Sequence, residues 1–514
     1  MHIGVDVGGT NTDAVLVSGN KVLASCKMPT TLDVGSGVTA AIKRVLDDSK
    51  VSAESIECVM IGTTHFTNAF VQRRGLLEVG MIRIALPAGR GLPPMLDWPD
   101  DIATTIGRNV HLVQGGYNFD GRLNSPFDEI GVAKAAQQLK KQGIKSVAIS
   151  GVFSSVNSDM EDKAAEIVRQ EMGDVSVTVS HTIGQIGILE RENAALMNAS
   201  LAEISKIVVR AFADSLKQLN ITAPFYISQN DGTLMSSEFV EKYPILTFSS
   251  GPTNSIRGAA YLSNVENAIV ADIGGTTTDL GVLNNGYPRE SSLTTDIGGI
   301  RTNFRMPDIL ALGLGGGSLV QENNGGVKIG PQSVGYKLLE DSLVFGGKTL
   351  TCSDIAVAAG YADIGDKSLV SHLSASLVED AVNQIHQMIE EGVDRMKTNS
   401  DLVPLVLVGG GSILVNREIP GTSEVIIPDN ASVANAMGAS IAQIGGELDK
   451  VFSYDELGRE QAIELAKSEA KERAVEAGAI DSTVSILEIE ETPLAYCPGG
   501  AVRIKVKAIG DMAL

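Results

Sequence analysis

The sequence predicts an α/β protein of two related domains facing each other across a nucleotide cleft, with a small α+β tail. Three observations carry this. The acidic, glycine-rich octapeptide DVGGTNTD at residues 6–13 returns as DIGGTTTD at residues 272–279. Each copy stands between short apolar runs of strand character, so the repeated unit is strand, glycine turn, strand. Strands alternate with amphipathic helices along the chain, which is the pattern of α/β layering. At 514 residues the chain exceeds one ordinary core, and two or three domains are expected.

Taken in order, HIGVDVGGTNTDAVLVSGNKVLASCKM reads as strand, glycine turn, strand, SGN turn, strand. A helix over about 37–48 follows, with apolar residues at Val38, Ile42, Val45 and Leu46 in 3–4 spacing. IECVMIGTTHFTNAFVQRRG reads as strand, turn, helix, and SVAISGVF (146–153) as a buried strand. A helix with early acidic residues and a terminal glycine comes next, then the strand VSVTVS. LERENAALMNASLAEISKIVVRAFADSLKQL reads as one long helix, and PFYISQNDGTLMS as strand and turn. From Val265 the opening pattern restarts, and DLVPLVLVGGGSILV (401–415) is a buried strand running into three glycines. VIIPDNASVANAMGASIAQIGG reads as a strand and a helix that packs small residues. The tail carries a charged helix (455–478) and two strands (484–490 and 501–508). The expected domains are 1–263, 264–447 and a tail of 448–514 packing back on one of them.

Composition narrows the function classes. Hydrophobic content of 43% with 20% charged residues suits a folded globular chain. No apolar run reaches the ~18 residues of a membrane helix, and the N-terminus shows no secretory signal, so a cytoplasmic location and no membrane partner are expected. Cys26, Cys58, Cys352 and Cys497 have no CxxC spacing, which argues against a disulfide framework or a zinc or iron–sulfur site. With 41 basic against 62 acidic residues the net charge is −21, the wrong sign for a nucleic-acid partner.

Glycines in such a turn let backbone N–H groups approach an anion without Cβ atoms in the way. Gly8 and Gly9, and Gly274 and Gly275, supply that backbone; Thr10, Asn11, Thr12, Thr276 and Thr277 add side-chain donors. Asp6 and Asp272 each end a strand at the mouth of the turn. A carboxylate beside phosphates repels them unless a hard cation lies between, so the arrangement asks for Mg²⁺ held by Asp6 and Asp272. Two such turns facing each other would grip a nucleotide's phosphates from both sides. Gly409, Gly410 and Gly411, in a third glycine loop, could leave room for a flat base and ribose. The plainer alternative makes Asp6 and Asp272 strand-end caps. Asp13 and Asp279 are read as hydrogen-bonding the turn backbone. Neither the Walker pattern nor the dinucleotide fingerprint is present.

Paired DxGGTxTD turns with a late GGG loop resemble the actin-like ATPase (ribonuclease H-like) fold shared by sugar kinases, actin and heat-shock chaperones. Within it the chain resembles the hydantoinase A / 5-oxoprolinase group. The matching stretches include GTTHFTNAFVQRRG, SHTIGQIGILERENAALMNA, QNDGTLMS, SGPTNSIRGAAYL, ILALGLGGGSLV, LTCSDIAVAAG and PLAYCPGGAVRIKVKAIGD. The resemblance runs over nearly the whole chain, which is a short form of the family with His65 and Phe66 where many members carry smaller residues. It implies ATP-dependent opening of a cyclic amide or imide, such as hydantoin or 5-oxoproline. The ring carbonyl oxygen is phosphorylated, and water then attacks. It also implies a second subunit from a neighbouring gene, and relatives that are ATP-using carboxylase subunits; a homo-oligomer is compatible with it.

On the substrate side, Thr63, Thr64 and Asn68 are neutral donors suited to an uncharged ring amide. His65 and His181 are candidates, each with an ordinary structural role as the alternative. His181 leads TIGQIG, a loop that resembles the family's substrate-side segment. Arg191 could hold an anionic group, and Gly315–Gly317 could approach a ligand or form a hinge. Asp6 and Asp272 are the expected catalytic carboxylates. A small-molecule kinase, an ATP-dependent carboxylase subunit and an ATP-driven regulatory component remain open as alternatives.

Overall fold

A computed structural model of the chain describes residues 1–514 except 10, 20, 32, 292, 293, 324, 325, 496, 498 and 514. The apolar run at the N-terminus makes β1 (His2–Val7), which turns through the first octapeptide into β2 (Asn11–Ser18) and on into β3 (Lys21–Pro29). A helix over Ser36–Ser49 buries Val38, Ile42 and Val45 and returns the chain to β4 (Cys58–Thr63), parallel to β1. The chain then leaves this sheet and builds a separate parallel one from β5 (Val79–Leu86), β6 (Asn109–Gln114), β7 (Ser146–Gly151) and β8 (Ser176–Val179), in the order 6-5-7-8. The helices Glu129–Lys141 and Asp159–Met172 cover it, with Val132, Leu139, Ala164 and Val168 in its core.

The stretch expected to form one long helix is two, Ile188–Ser200 and Ala202–Gln218. At the break Leu201 N–H bonds Asn198 O (3.1 Å), one residue short of its α-helical partner. The Asn198 side chain is meanwhile committed to Thr178 Oγ1 and Lys242 O. The break thus falls beside a buried amide held by tertiary bonds. β9 (Phe225–Ser228) then joins β4 in parallel and hairpins into β10 (Leu234–Ser236).

After the helix Ser250–Ser263 the opening topology is repeated. β11 (Ala268–Ile273) turns through the second octapeptide into β12 (Thr278–Asn284) and β13 (Tyr287–Pro288). Two small hairpins follow, β14 (Thr295–Ile297) with β15 (Ile300–Thr302) and, after β16 (Ile309–Leu312) has paired with β12, β17 (Ser318–Asn323) with β18 (Gly326–Ser333). The helix Ala375–Met396 leads to β19 (Val403–Val408), parallel to β11, and β20 (Thr422–Ile426), parallel to β19. The first sheet contains the order 3-2-1-4-9 and the second the order 13-12-11-19-20, with the same strand directions position by position. The repeated octapeptide thus lies in a repeated fold, α/β throughout, of the actin-like ATPase type.

The helix Ala434–Ser440 leads to β21 (Ile444–Ser453), which runs through residue 447, where the sequence reading placed a boundary. β21 pairs with β10, and β22 (Ser485–Pro493) and β23 (Ala501–Gly510) extend the first sheet beyond it, giving 22-23-21-10-9-4-1-2-3. The helix Arg459–Glu476 buries only Ala462, Ala466, Ala470 and Ala474, one small residue per turn, and shows its charges to solvent. Asp231, Glu290 and Glu447 lie within 4.8 Å of one another. Arg305, Lys505 and Lys507 answer them, with Lys507 Nζ 3.0 Å from Asp231 and Arg305 3.2 Å from Glu447. Three cations against three anions make this a closed ion network that ties β21 and β23 to the segments after β9 and β13. Among the described residues, no helix is long and apolar enough to cross a membrane.

Candidate active site

The two octapeptides close their turns with the same bond: Gly8 N–H to Asn11 O and Gly274 N–H to Thr277 O, both 2.9 Å. A Cβ on Gly8 would lie 3.0 Å from Asn11 O and one on Gly274 3.2 Å from Thr277 O, while Gly9 and Gly275 look onto open space. Thr276 and Thr277 are exposed. Thr12 is buried, its Oγ1 3.2 Å from Thr30 Oγ1, and Thr30 Oγ1 donates to Gly8 O. Thr10 lies outside the described residues. Behind β19 the third glycine loop stands against the second turn. Gly409 takes φ +83°, and a Cβ there would meet Asp272 Oδ1 at 2.4 Å; one on Gly411 would meet Gly274 O at 2.9 Å; Gly410 faces open space. The GLGGGS loop also packs on this turn, with Gly316 N–H on Gly274 O (3.0 Å) and Gly317 N–H on Gly275 O (2.7 Å).

Asp6 and Asp272 occupy matching places, opposite Asp13 and Asp279 across their hairpins. One helix, Ser250–Ser263, reaches both. Asn254 Nδ2 donates to Asp6 Oδ1 at 3.3 Å and Ser255 Oγ to Asp272 Oδ2 at 2.5 Å. Asn435, from the helix Ala434–Ser440, donates to Asp6 Oδ2 (3.1 Å) and Asp13 Oδ2 (2.8 Å), where Lys27 Nζ also binds (2.9 Å). The two helices touch backbone to backbone. A Cβ on Gly258 would lie 1.8 Å from Ala434 O, and one on Gly438 1.8 Å from Asn254 O. The sequence reading did not single out Asn254, Ser255, Asn435 or Lys27. Lys27 meets Asp13 across the β2–β3 hairpin; Asn254, Ser255 and Asn435 get their partners from helices that pack on the strand ends.

Burial pushes the Asp6 carboxyl up to about 6, with Asp13 adding to it and the amides of Asn254 and Asn435 opposing. Burial also raises Asp272, against the Ser255 hydroxyl and Lys27. Asp279 is pushed up to about 7 by burial and then by Asp272. With Asp6, Asp272 and Asp279 all raised, the site is short of positive charge. Among the described residues, Asp13 Oδ1 and Asn254 Oδ1 are buried acceptors without a hydrogen-bond partner. Oxygen acceptors in excess of donors suit a hard cation such as Mg²⁺.

The loop after β4 seats against the end of β1: Thr64 donates to Val7 O through both its N–H and its Oγ1, each at 3.1 Å. Thr63 Oγ1 is 2.6 Å from His65 Nδ1, and the exposed Asn68 bonds Thr64 Oγ1 at 3.2 Å. The His65 ring stands edge-on to Phe212, and burial lowers its pKa. A Cβ on Gly62 would meet Asp6 Oδ1 at 2.3 Å, so the end of β4, from which this loop leaves, borders the first carboxylate. His181 and Arg191 form a separate group at the ends of β7 and β8. His181 Nδ1 is 2.8 Å from Glu161, and Arg191, 1% exposed, donates to Ser180 Oγ (2.9 Å), Gln185 O (3.0 Å) and Gly151 O (2.6 Å). Arg191 is therefore engaged with the protein itself. His181 lines a cavity of about 60 Å³ with Gln185, Gln229, Arg305 and Glu447.

Comparison with known proteins places this architecture. The hydantoinase/oxoprolinase N-terminal region matches residues 2–172, and the hydantoinase/oxoprolinase region matches residues 191–366. The chain belongs to the hydantoinase/oxoprolinase family. The acetophenone carboxylase gamma subunit of Aromatoleum aromaticum is 28% identical over 395 residues, 70% of this chain and 53% of that protein. The caprolactamase subunit alpha of Pseudomonas jessenii is 25% identical over 412 residues, 76% of this chain and 58% of that protein. This member of the family spans about half the length of these curated relatives. The crystal structure of ATP-dependent caprolactamase from Pseudomonas jessenii shares the fold, with a TM-score of 0.82 at 20% identity over 100% of this chain and 88% of that one.

Proposed function

We propose that the chain uses MgATP to phosphorylate the carbonyl oxygen of a small cyclic amide, which water then opens. Asp6, Asp272 and the glycine turns Gly8–Gly9, Gly274–Gly275 and Gly409–Gly411 form the nucleotide site; Thr63, Thr64, His65 and Asn68 border it on the substrate side. The observation that carries the reading is the matched pair of hairpins whose carboxylates are held by adjacent residues of one helix. Asp6 and Asp272 would hold Mg²⁺, which supplies charge neutralisation between carboxylates and phosphates when bound. The turn amides orient the phosphates, and closure around them excludes water until the substrate is in place. Transfer to the carbonyl oxygen converts a poor electrophile into an imidate phosphate. Water adds at that carbon, the C–N bond of the adduct breaks as the nitrogen takes up a proton, and the acyl phosphate left on the opened chain is hydrolysed to carboxylate and phosphate.

The relatives' names support a partner subunit, and they also favour a second reading. Carboxylase subunits are among the similar proteins, and phosphorylation of a carbonyl oxygen would activate a ketone for carboxylation as it would an amide for opening. Phosphate release from MgATP, measured with hydantoin, 5-oxoproline, caprolactam, or acetone plus bicarbonate, separates the two. Each condition is run with and without the neighbouring-gene product. Release coupled to ring opening supports the hydrolase; release that needs ketone and bicarbonate supports the carboxylase. ATP hydrolysis indifferent to every small molecule but governed by a protein partner would overturn both.

A further inference from the structure

The helix Ser250–Ser263 puts two consecutive residues on two carboxylates that belong to different sheets. Consecutive helical side chains point about 100° apart, so a helix lying between the two strand ends can serve both at once. Asn254 and Ser255 are both buried, as are their neighbours Thr253 and Ile256. The helix cannot slide. Gly258 and Gly438 meet backbone atoms at the crossing, and Ile256 fills the space where a Cβ on Gly281 of β12 would lie 2.3 Å from its Cδ1.

Asn254 is an expensive choice for packing alone. Its Nδ2 donates to Asp6, but its buried Oδ1 has no hydrogen-bond partner among the described residues. A buried, unsatisfied acceptor is destabilising, and a small apolar residue would avoid it. Ser255 makes a short hydroxyl–carboxylate bond, a charge-assisted contact of the stronger kind.

We propose that Asn254 and Ser255 are positioning residues that fix Asp6 and Asp272 to one rigid helix, so that the two halves of the nucleotide site present their carboxylates as a single unit. This rests on the nucleotide reading above. Neither residue touches substrate; each acts through the carboxylate it holds.

The test compares wild type with Asn254→Ala, Asn254→Ser, Ser255→Ala, Ser255→Thr and the double alanine variant, using titration calorimetry with ATP in Mg²⁺ and in EDTA. Wild type should bind ATP about ten-fold or more tightly with Mg²⁺ than in EDTA. Ser255→Ala and Asn254→Ala should each lose most of that ratio while keeping the EDTA affinity and the melting temperature. Ser255→Thr, which retains the hydroxyl, should restore it. The double variant should lose little more than the worse single, because both act through one unit. Single variants that keep the wild-type ratio would overturn the proposal. So would a fall in EDTA affinity that tracks a fall in melting temperature, which is the mark of a purely structural role. A wild-type chain that binds no ATP in either condition would instead overturn the nucleotide reading, and this inference with it.

Discussion

Asp272 carries the sharpest test at the scale of single residues. Its carboxyl is raised by burial, so the fold does not depend on its charge. Asp272→Ala should leave the circular dichroism spectrum unchanged and abolish phosphate release from MgATP; an active, well-folded variant would refute the site. Glu161 is the opposite case. Burial pushes it up, but His181, Arg191 and Ser180 overcome this and hold it down from 4.5 to about 2. A carboxyl depressed on folding adds stability that is fully present above 4.5 and is lost as pH falls towards 2. Urea midpoints of wild type should therefore fall over that window, and those of Glu161→Gln should fall less steeply while starting lower. Asp279 is raised from 3.8 to about 7, so its ionisation is a cost that grows as pH rises through that range. Asp279→Asn should raise the melting temperature of the ligand-free protein at pH 8, and raise it less at pH 5.

Among the elements, the crossing of Ser250–Ser263 with Ala434–Ser440 decides whether the carboxylates meet their donors. The small residues of ANAMGAS signal close packing, and the structure shows against what. A side chain at Gly258 would drive Cβ to 1.8 Å from Ala434 O, a backbone atom that can yield only by moving the helix. Gly258→Val should cost more than the ~1–3 kcal/mol of ordinary overpacking and lower soluble yield. Gly62→Ala is subtler, since its Cβ would meet two side chains, Asp6 Oδ1 at 2.3 Å and Asn254 Nδ2 at 2.4 Å. It should keep the fold and weaken MgATP binding, read by calorimetry beside the melting curve; unchanged affinity would detach the end of β4 from the nucleotide site.

For the whole molecule, the last strands are structural members of the first sheet. Ile504, Val506 and Ala508 of β23 are fully buried, and Lys505 and Lys507 enter the ion network with Glu290, Glu447 and Asp231. A chain ending at residue 443 would expose the edge of β10 and leave Asp231 and Glu290 without Lys505 and Lys507. Buried charges stripped of their partners are strongly destabilising. Such a chain should be insoluble or rapidly degraded in limited proteolysis, and a protease-resistant, ATP-binding 1–443 piece would show the tail to be an appendage.

The sequence by itself determined what is local or periodic. The two DxGGTxTD hairpins, the Asp at each strand end, the α/β alternation and the glycine loop after β19 were legible because turn chemistry and apolar spacing act over a few residues. The tertiary structure alone decided what is distant. Asn254 and Asn435 meet Asp6 from positions far along the chain, and neither has a local signature. Likewise the tail strands choose the first sheet, and the helix expected to be continuous breaks at Leu201, next to an Asn198 amide that bonds Thr178 and Lys242. Hydrogen bonds to buried carboxylates and amides depend on position in space, and only the packing of whole elements sets that position.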